Sequence, residues 1–445
     1  MAYVAVSGGE ETIEASLALL RQSLMRADCQ VSVAAIEAAL PELVDQVMGE
    51  GSLYSPTLAA LALKQGGGSV EEAVFLLRAF RSTLERPYIS RSIDTANMLV
   101  ERRISASFKD LPGGQILGIT RDYSHRLLDF SLAGRRAGEE DGAPGPSESP
   151  GEGAAIASHG EGTAGETEPA QSFSAPPRPA GAFERLPRVS AFLAEQGLLT
   201  RPLPDDTEPH DLTMEPLSFP APRSICLQAL ARGMTQGVMT LGYAAIRGFG
   251  QAHPTVGELR FGSLPILIDH PQTTGAAASE EDAYYVGAIA VTECESLFSV
   301  EGPEKQRLPE NPELPACPEN HKVGEGCELE FGIGYGLVYG RAESKAIAMS
   351  VLDFCLDSGD NAFPTQDQEF VLYHIDGVEA TGFISHLKLP HYVTFQSKLN
   401  STRRTHGEAV TGPQGSASAD SVQPLEAAGA ASPNLVTGEP HASLV

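Results

Sequence analysis

Apolar residues recur at three- and four-residue intervals through residues 10–26, 33–49, 56–65 and 69–85, and each run predicts an amphipathic helix. The last opens with Ser69-Val-Glu-Glu. There Ser69 and Glu72 match a capping box, in which each side chain satisfies the other residue's backbone N–H. Val100 to Leu132 mixes charged pairs, a Pro-Gly-Gly turn and an apolar close, and residues 1–136 together read as a mainly helical region. Further on, "RVSAFLAEQGLL" predicts a short helix and "RSICLQALARGMTQGVMTLGYAAIRGFG" a longer one. "GELRFGSLPILI" and "YYVGAIAVTECESLF" are rich in β-branched and aromatic residues and predict strands. "GYGLVYGRAESKAIAMSVLDFCL" reads as strand or loop followed by helix. "EFVLYHIDGVEATGFISHLKLPHYVTF" reads as strands with a turn at Asp376-Gly377. Helices first and a mixed α/β core later, over 183–400, predict the α+β class, with no internal repeat.

Composition changes this picture in three places. From Ala137 to Ala182 the chain is largely Gly, Pro, Ser, Ala and Glu, which buries too little apolar surface to offset ordering entropy, so a disordered linker is expected. An acidic loop at 301–330 and a tail at 401–445 are expected to be of the same kind. Net charge is −27, yet residues 137–180, 301–330 and 407–445 carry −16 of it, so the remainder is only mildly acidic. No basic footprint for nucleic acid is visible. The N-terminus lacks the pattern of a secretory signal and no run has the length of a membrane span. The six cysteines form no Cys-x-x-Cys pair, and a cytoplasmic protein with reduced thiols is expected.

Candidate chemistry sits in four stretches. His386 and His391 bracket Leu-Lys-Leu-Pro. On a helix they would lie about 140° apart, and on a strand they would face opposite ways, so they converge only at a bend such as Pro390 permits. Two histidines alone favour a structural reading, because a metal needs further ligands. In "FGIGYGLVYGRAESK", Gly332, Gly334, Gly336 and Gly340 precede a helix with Arg341 and Lys345 at its start. That is either a phosphate cradle or a tightly packed strand. Arg102, Arg103, Lys109, Asp110, Gly113, Gly114, Arg121 and Asp122 could hold a polyphosphate and its magnesium, or form a salt-bridged surface. Glu293 and Glu295 share a strand face at period two and suit chemistry at a sugar anomeric carbon, though such pairs more often face solvent. Cys317, His321 and Cys327 lack finger spacing, and His125 and His253 read as packed or loop histidines.

Several stretches together resemble one family. "YVAVSGGEETI", "LALKQGGGSVEEAVFLLRAFRSTL", "VERRISASFKDLPGGQILG", "DYSHRLLDF", "IRGFGQAHP", "TECE", "GYGLVYG" and "GFISHLKLPHYVTFQ" occur in the order found in PhnI, a subunit of the bacterial carbon–phosphorus lyase core complex. The resemblance implies that the chain, with PhnG, PhnH and PhnL, replaces the adenine of MgATP by an alkylphosphonate at ribose C1. The products would be alpha-D-ribose 1-methylphosphonate 5-triphosphate and adenine, and the chain alone would act as a nucleosidase. An alternative is a scaffold that organises the complex. The resemblance also turns the histidine question toward metal: His386 and His391 match a pair implicated in zinc binding at the contact with PhnJ. From charge and context, Glu293 or Glu295 is expected near the sugar. Arg102, Arg103, Lys109, Gly113, Gly114, Arg341 and Lys345 are expected on phosphate. Ser7 and Ile333 stand where the family carries a lysine and an arginine, so any phosphate contact made by those cations is absent or replaced here.

Overall fold

The computed structural model describes residues 9–25, 31–130, 185–199, 210–250, 253–270, 283–301, 329–358 and 361–406. The linker at 137–182 lies outside the described residues, as do most of the acidic loop (302–328) and the tail from 407. The chain divides into two compact units, residues 1–386 and 387–445.

The first unit begins with the expected helices: α1 (Gly9–Leu24), α2 (Val33–Ala39), α3 (Pro41–Gly51), α4 (Pro56–Gln65) and α5 (Val70–Arg81). The single helix read over 33–49 is two, because Pro41 cannot donate to the preceding turn and instead takes the first position of α3. Ser69 caps α5 by accepting from the Glu72 N–H at 3.3 Å. Helices α2 to α5 close around Val44, Val47, Met48, Leu63, Val74 and Leu77, each at most 2% exposed. Helix then stops at Arg81, and residues 99–104 form strand β1 (Leu99–Ile104).

That strand opens the sheet, whose order is β1-β2-β3-β4, antiparallel throughout. The others are β2 (Thr255–Asp269), β3 (Ala283–Glu301) and β4 (Leu329–Tyr339). Before them come α6 (Val189–Glu195), α7 (Arg223–Arg232) and α8 (Thr235–Ala244). The longer helix read from 223 is broken at Gly233, where an added Cβ would collide with Ile375 and Val238. Helix α9 (Glu343–Asp357) crosses the face of β3 and β4 that carries Cys294, Ser296 and Phe298, with Ser296 and Ser350 hydroxyls 2.7 Å apart. Its Met349, Val351 and Leu352 are at most 1% exposed, and each such side chain contributes about 1.5–3 kcal/mol by leaving water.

The strand reading after α9 is also corrected. Residues 368–386 are helices α10 (Gln368–His374) and α11 (Gly377–His386), not strands. The presumed turn is a helix start: the Asp376 carboxylate accepts from the Val378 and Glu379 N–H groups, both at 3.1 Å. In the second unit, α12 (Tyr392–Thr405) likewise replaces the predicted strand and extends past Ser401, where the tail was expected to begin.

Candidate functional site

On the sheet face opposite α9, period-two alternation aligns Glu293, Glu295 and Leu297 of β3 with Glu258 and Arg260 of β2. Arg260 pairs directly with Glu293 across the strands, and Glu258 with Glu295. Apolar clusters flank this polar row: Met98, Leu264 and Val291 at one end, Val189, Leu193 and Leu297 at the other. The glutamates are therefore buried, at 1% and 6% exposure, rather than facing solvent.

Burial is tolerated because the charges are paired. Glu293 Oε2 accepts from Arg260 Nε at 3.0 Å and also from Arg260 Nη2. Its Oε1 accepts from Arg188 Nη2 at 2.7 Å, Tyr335 Oη at 2.8 Å and Thr95 Oγ1 at 2.7 Å. Arg188, just before α6, also reaches Glu295 Oε1 at 2.7 Å. Glu295 Oε2 and Arg188 Nε are buried without a hydrogen-bond partner. The two carboxyls are driven apart. Burial raises Glu295, and Arg188 offsets only part of that. Burial also acts on Glu293, but Arg260, Arg188 and the Thr95 hydroxyl outweigh it and hold its pKa below the usual range. Two adjacent carboxyls with opposite shifts are what an acid and a base in one site require. The Tyr335 phenol is pushed up, first by burial and then by Glu293.

The cations expected on phosphate separate into different places. Arg103 is fully buried on this same face, with Nε 2.5 Å from Glu258 Oε1. Its Nη1 donates to the Pro112 and Gly114 carbonyls at 2.7 and 3.1 Å, and its Nη2 to the Pro187 carbonyl. The Pro-Gly-Gly turn, with Gly113 and Gly114 at φ +82° and +78°, thus wraps a guanidinium with its carbonyls. Arg102 points to the other face, bonded to Glu343 at 2.6 Å, Asp122 at 2.7 Å and the Leu117 carbonyl at 2.5 Å. Arg341 is half exposed there, 5.0 Å over the Phe261 ring and 3.9 Å from Glu101. Lys109 is exposed. Lys345 is enclosed in α9, donates to the Ala231 carbonyl at 2.8 Å, and is pushed down to about 8 by burial.

The glycine run resolves into a packed strand. A Cβ on Gly334 or Gly336 would overlap the Ser350 or Ala346 carbonyl, so these glycines let the α9 backbone lie against β4. Ile333 packs in the cluster with Leu297 and Val189. Clefts of about 300 Å³ (beside Met234 and His374) and about 450 Å³ (beside Ile104 and Tyr123) are lined by neither glutamate.

His386 ends α11 in the first unit. His391 stands at the N-cap position of α12 in the second, its Nδ1 2.6 Å from the Leu389 carbonyl. Among the described residues no group of three or more His, Cys, Asp or Glu could hold a metal. This chain's described donors do not by themselves fit a complete zinc site. Cys317, His321 and Cys327 lie outside the described residues. His125 and His253 are exposed.

Thr95, Arg188, Arg260 and Tyr335 complete the glutamate cluster and were not singled out from sequence. Glu258 and Arg260, two apart in an otherwise apolar strand, were a usable signal of a polar row on one face. Arg188, 105 positions from Glu293, gave none.

A family model described as bacterial phosphonate metabolism protein (PhnI) matches residues 2–409. The chain is 40% identical over 413 residues to alpha-D-ribose 1-methylphosphonate 5-triphosphate synthase subunit PhnI of Escherichia coli K12, covering 91% of this chain and 99% of that one. It is 39% identical over 415 residues to the protein of the same name from Rhizobium meliloti 1021, covering 91% and 95%. It is 37% identical over 419 residues to putative C-P lyase subunit protein HtxH of Stutzerimonas stutzeri, covering 93% and 98%. The chain belongs to the PhnI family of bacterial phosphonate metabolism proteins.

Proposed function

We propose that this chain is a subunit of an alpha-D-ribose 1-methylphosphonate 5-triphosphate synthase within a carbon–phosphorus lyase system. The observation that carries this reading is the similarity, at 39–40% identity over nearly the whole chain, to two proteins so named. With PhnG, PhnH and PhnL, it breaks the C1–N9 bond of MgATP. Adenine leaves with a proton, and an alkylphosphonate oxygen bonds to C1; without the phosphonate, water takes that place. No described helix is long and apolar enough to cross a membrane, and the reading places the chain in the cytoplasm, where its nucleotide is.

Displacement at C1 passes through an oxocarbenium-like state, which a fixed carboxylate stabilises and a protonated group helps by meeting the departing base. Glu293, held ionised, and Glu295, raised by burial, suit those two parts. Both lie under the segment 185–199, so the reading requires Arg188 and α6 to lift from the sheet. Of the cations expected on the triphosphate, Lys109 and Arg341 are open to solvent, whereas Arg102, Arg103 and Lys345 already serve internal acceptors. Zinc at His386 and His391 rests on the family resemblance of that pair, and this chain would supply only these two of its ligands.

The closed cover over the glutamates favours a second reading, in which the chain is a scaffold and the pair is structural. Adenine release from MgATP, followed chromatographically for the chain alone and with PhnG, PhnH, PhnL and methylphosphonate, separates the two. Release that Glu293→Gln and Glu295→Gln abolish, in variants that still fold, supports the enzyme. No release under either condition makes the chain a scaffold.

A further inference from the structure

Four arginines converge where α5, the end of α7 and the turn at 211–213 meet, and their hydrogen bonds fix the arrangement. Arg78 Nη1 bonds both Asp376 oxygens at 3.0 and 3.1 Å. Its Nε donates to the Glu50 carbonyl at 2.9 Å, and its Nη2 lies 3.5 Å from the Arg232 carbonyl. Arg81 Nη1 donates to the next carbonyl, Gly51, at 3.0 Å. Arg232 and Arg86 grip the same turn: Arg232 Nη1 donates to the Leu212 carbonyl at 2.9 Å, while Arg86 reaches Asp211 and Thr213, both at 2.6 Å.

The charges do not balance. Asp376 is engaged by Arg78 and Asp211 by Arg86, so Arg81 and Arg232 meet backbone carbonyls, and among the described residues neither bonds a carboxylate. Arg232 Nε is buried with no hydrogen-bond partner. Nearby, Glu50 is offset by Lys345, so it does not relieve the surplus. Helices α3 and α7 end here, and the partial negative charge of a C-terminus explains why cations gather. Each such end amounts to only about half a charge, too little for two extra guanidinium groups. Arg81 is lowered by burial, then by Arg86 and Arg78, with Asp211 opposing; Arg232 is pushed down to about 10 by burial, then by Arg78, which Asp376 and Asp211 offset only in part. Guanidinium groups this close, Arg81 buried and Arg232 partly so, with donors left over, suit charge-assisted bonds to an oxyanion brought in as ligand.

We infer that Arg81 and Arg232, with Arg86 at the rim, form a binding site for a tetrahedral phosphate- or phosphonate-type oxyanion. Asp211 (side chain 48% exposed) occupies the rim cation when the anion is absent. Planar guanidinium forks suit such oxygens. The site does not depend on the proposed ribosyl transfer; only the identity of its anion, triphosphate or phosphonate, rests on that reading.

The test is isothermal titration of the full-length chain with sodium tripolyphosphate, methylphosphonate, MgATP and adenosine. The site predicts binding of at least one of the three anions and none of adenosine, and which anion binds more tightly identifies the source. Arg81→Gln and Arg232→Gln should weaken that binding at least ten-fold. Asp211→Asn, which frees Arg86 from its competitor, should tighten it. The opposite signs matter, because a misfolded variant cannot tighten binding. Absence of anion binding in the wild type, or Asp211→Asn and Arg232→Gln variants that both bind like it, overturns the site. Adenine release from the same preparations keeps the two ideas apart. Arginine-dependent anion binding without release leaves the site standing and removes the enzyme reading, and release without such binding does the reverse.

Discussion

Replacing Glu293 and Glu295 one at a time by glutamine should change stability in opposite senses, although the two lie two residues apart on one strand. Glu293 is 1% exposed and is bonded to Arg260, itself 2% exposed, and to Arg188. Removing its charge leaves a buried guanidinium uncompensated, and such losses cost about 3–5 kcal/mol. Glu295 has one oxygen on Arg188 and one without a hydrogen-bond partner, and burial raises its pKa. Its ionised form is therefore disfavoured by folding, so Glu295→Gln should be neutral or stabilising by up to about 1 kcal/mol at pH 8. The pH dependence follows from the same shifts. Glu293's pKa is lowered on folding, so its contribution is present above the ordinary carboxylate range and fades as pH falls through the folded value. The gap between wild type and Glu293→Gln should narrow toward acid. Glu295's pKa is raised, so the advantage of Glu295→Gln should shrink as acid protonates the wild-type carboxyl. Urea denaturation followed by circular dichroism at pH 8, 6 and 4 measures both gaps. A cycle with Arg260→Met adds a check: the Glu293–Arg260 coupling should be on the order of 2–3 kcal/mol. Equal losses for both glutamates, or additive effects of Glu293 and Arg260 within about 0.5 kcal/mol, would refute the reasoning.

Further consequences can be checked the same way. Gly334→Ala should destabilise by about 1–3 kcal/mol or more because its methyl would overlap the Ser350 carbonyl, while Gly287→Ala, with nothing within 4 Å, should cost nothing. Both are read from denaturation midpoints. Arg103→Lys cannot reproduce contacts to Glu258 and three carbonyls. Amide exchange across 185–199 should therefore quicken, since the Pro187 carbonyl is one of those acceptors. Lys345 is pushed down to about 8, so the unfolded chain binds the extra proton between that value and 10.5, and stability should rise with pH across that window. Lys345→Met should flatten the rise, as denaturation between pH 7.5 and 10 would reveal. On the zinc reading, His386→Ala and His391→Ala each lower the metal content of the purified complex, measured by mass spectrometry of the metal.

The sequence alone determined what short-range chemistry dictates. Helix α5 follows from Ser69 and its apolar spacing, and strands β2 and β3 from their β-branched runs, whereas apolar spacing over 33–49 masked the break that Pro41 imposes. The family, too, was legible, since eight ordered motifs survive any uncertainty about their folding. The misread stretch at 368–395 shows the limit of local pattern. Its Val, Ile, Phe and Tyr residues favour strands by propensity, while Asp367, Asp376 and Glu379 were available as helix-start signals and were outweighed. Tertiary structure decided what each polar or flexible residue faces. Glycines 334 and 336 serve a helix backbone rather than a phosphate because α9 folds back onto β4. Arg102 and Arg103 are adjacent in sequence but point to opposite faces, one to Glu343 and the other to Glu258. Glu293 acquires Arg188 only after the chain returns from more than a hundred residues away. Charge and hydrogen bonding act over a few ångströms, and which groups come that close is set by long-range packing, which no local spacing encodes.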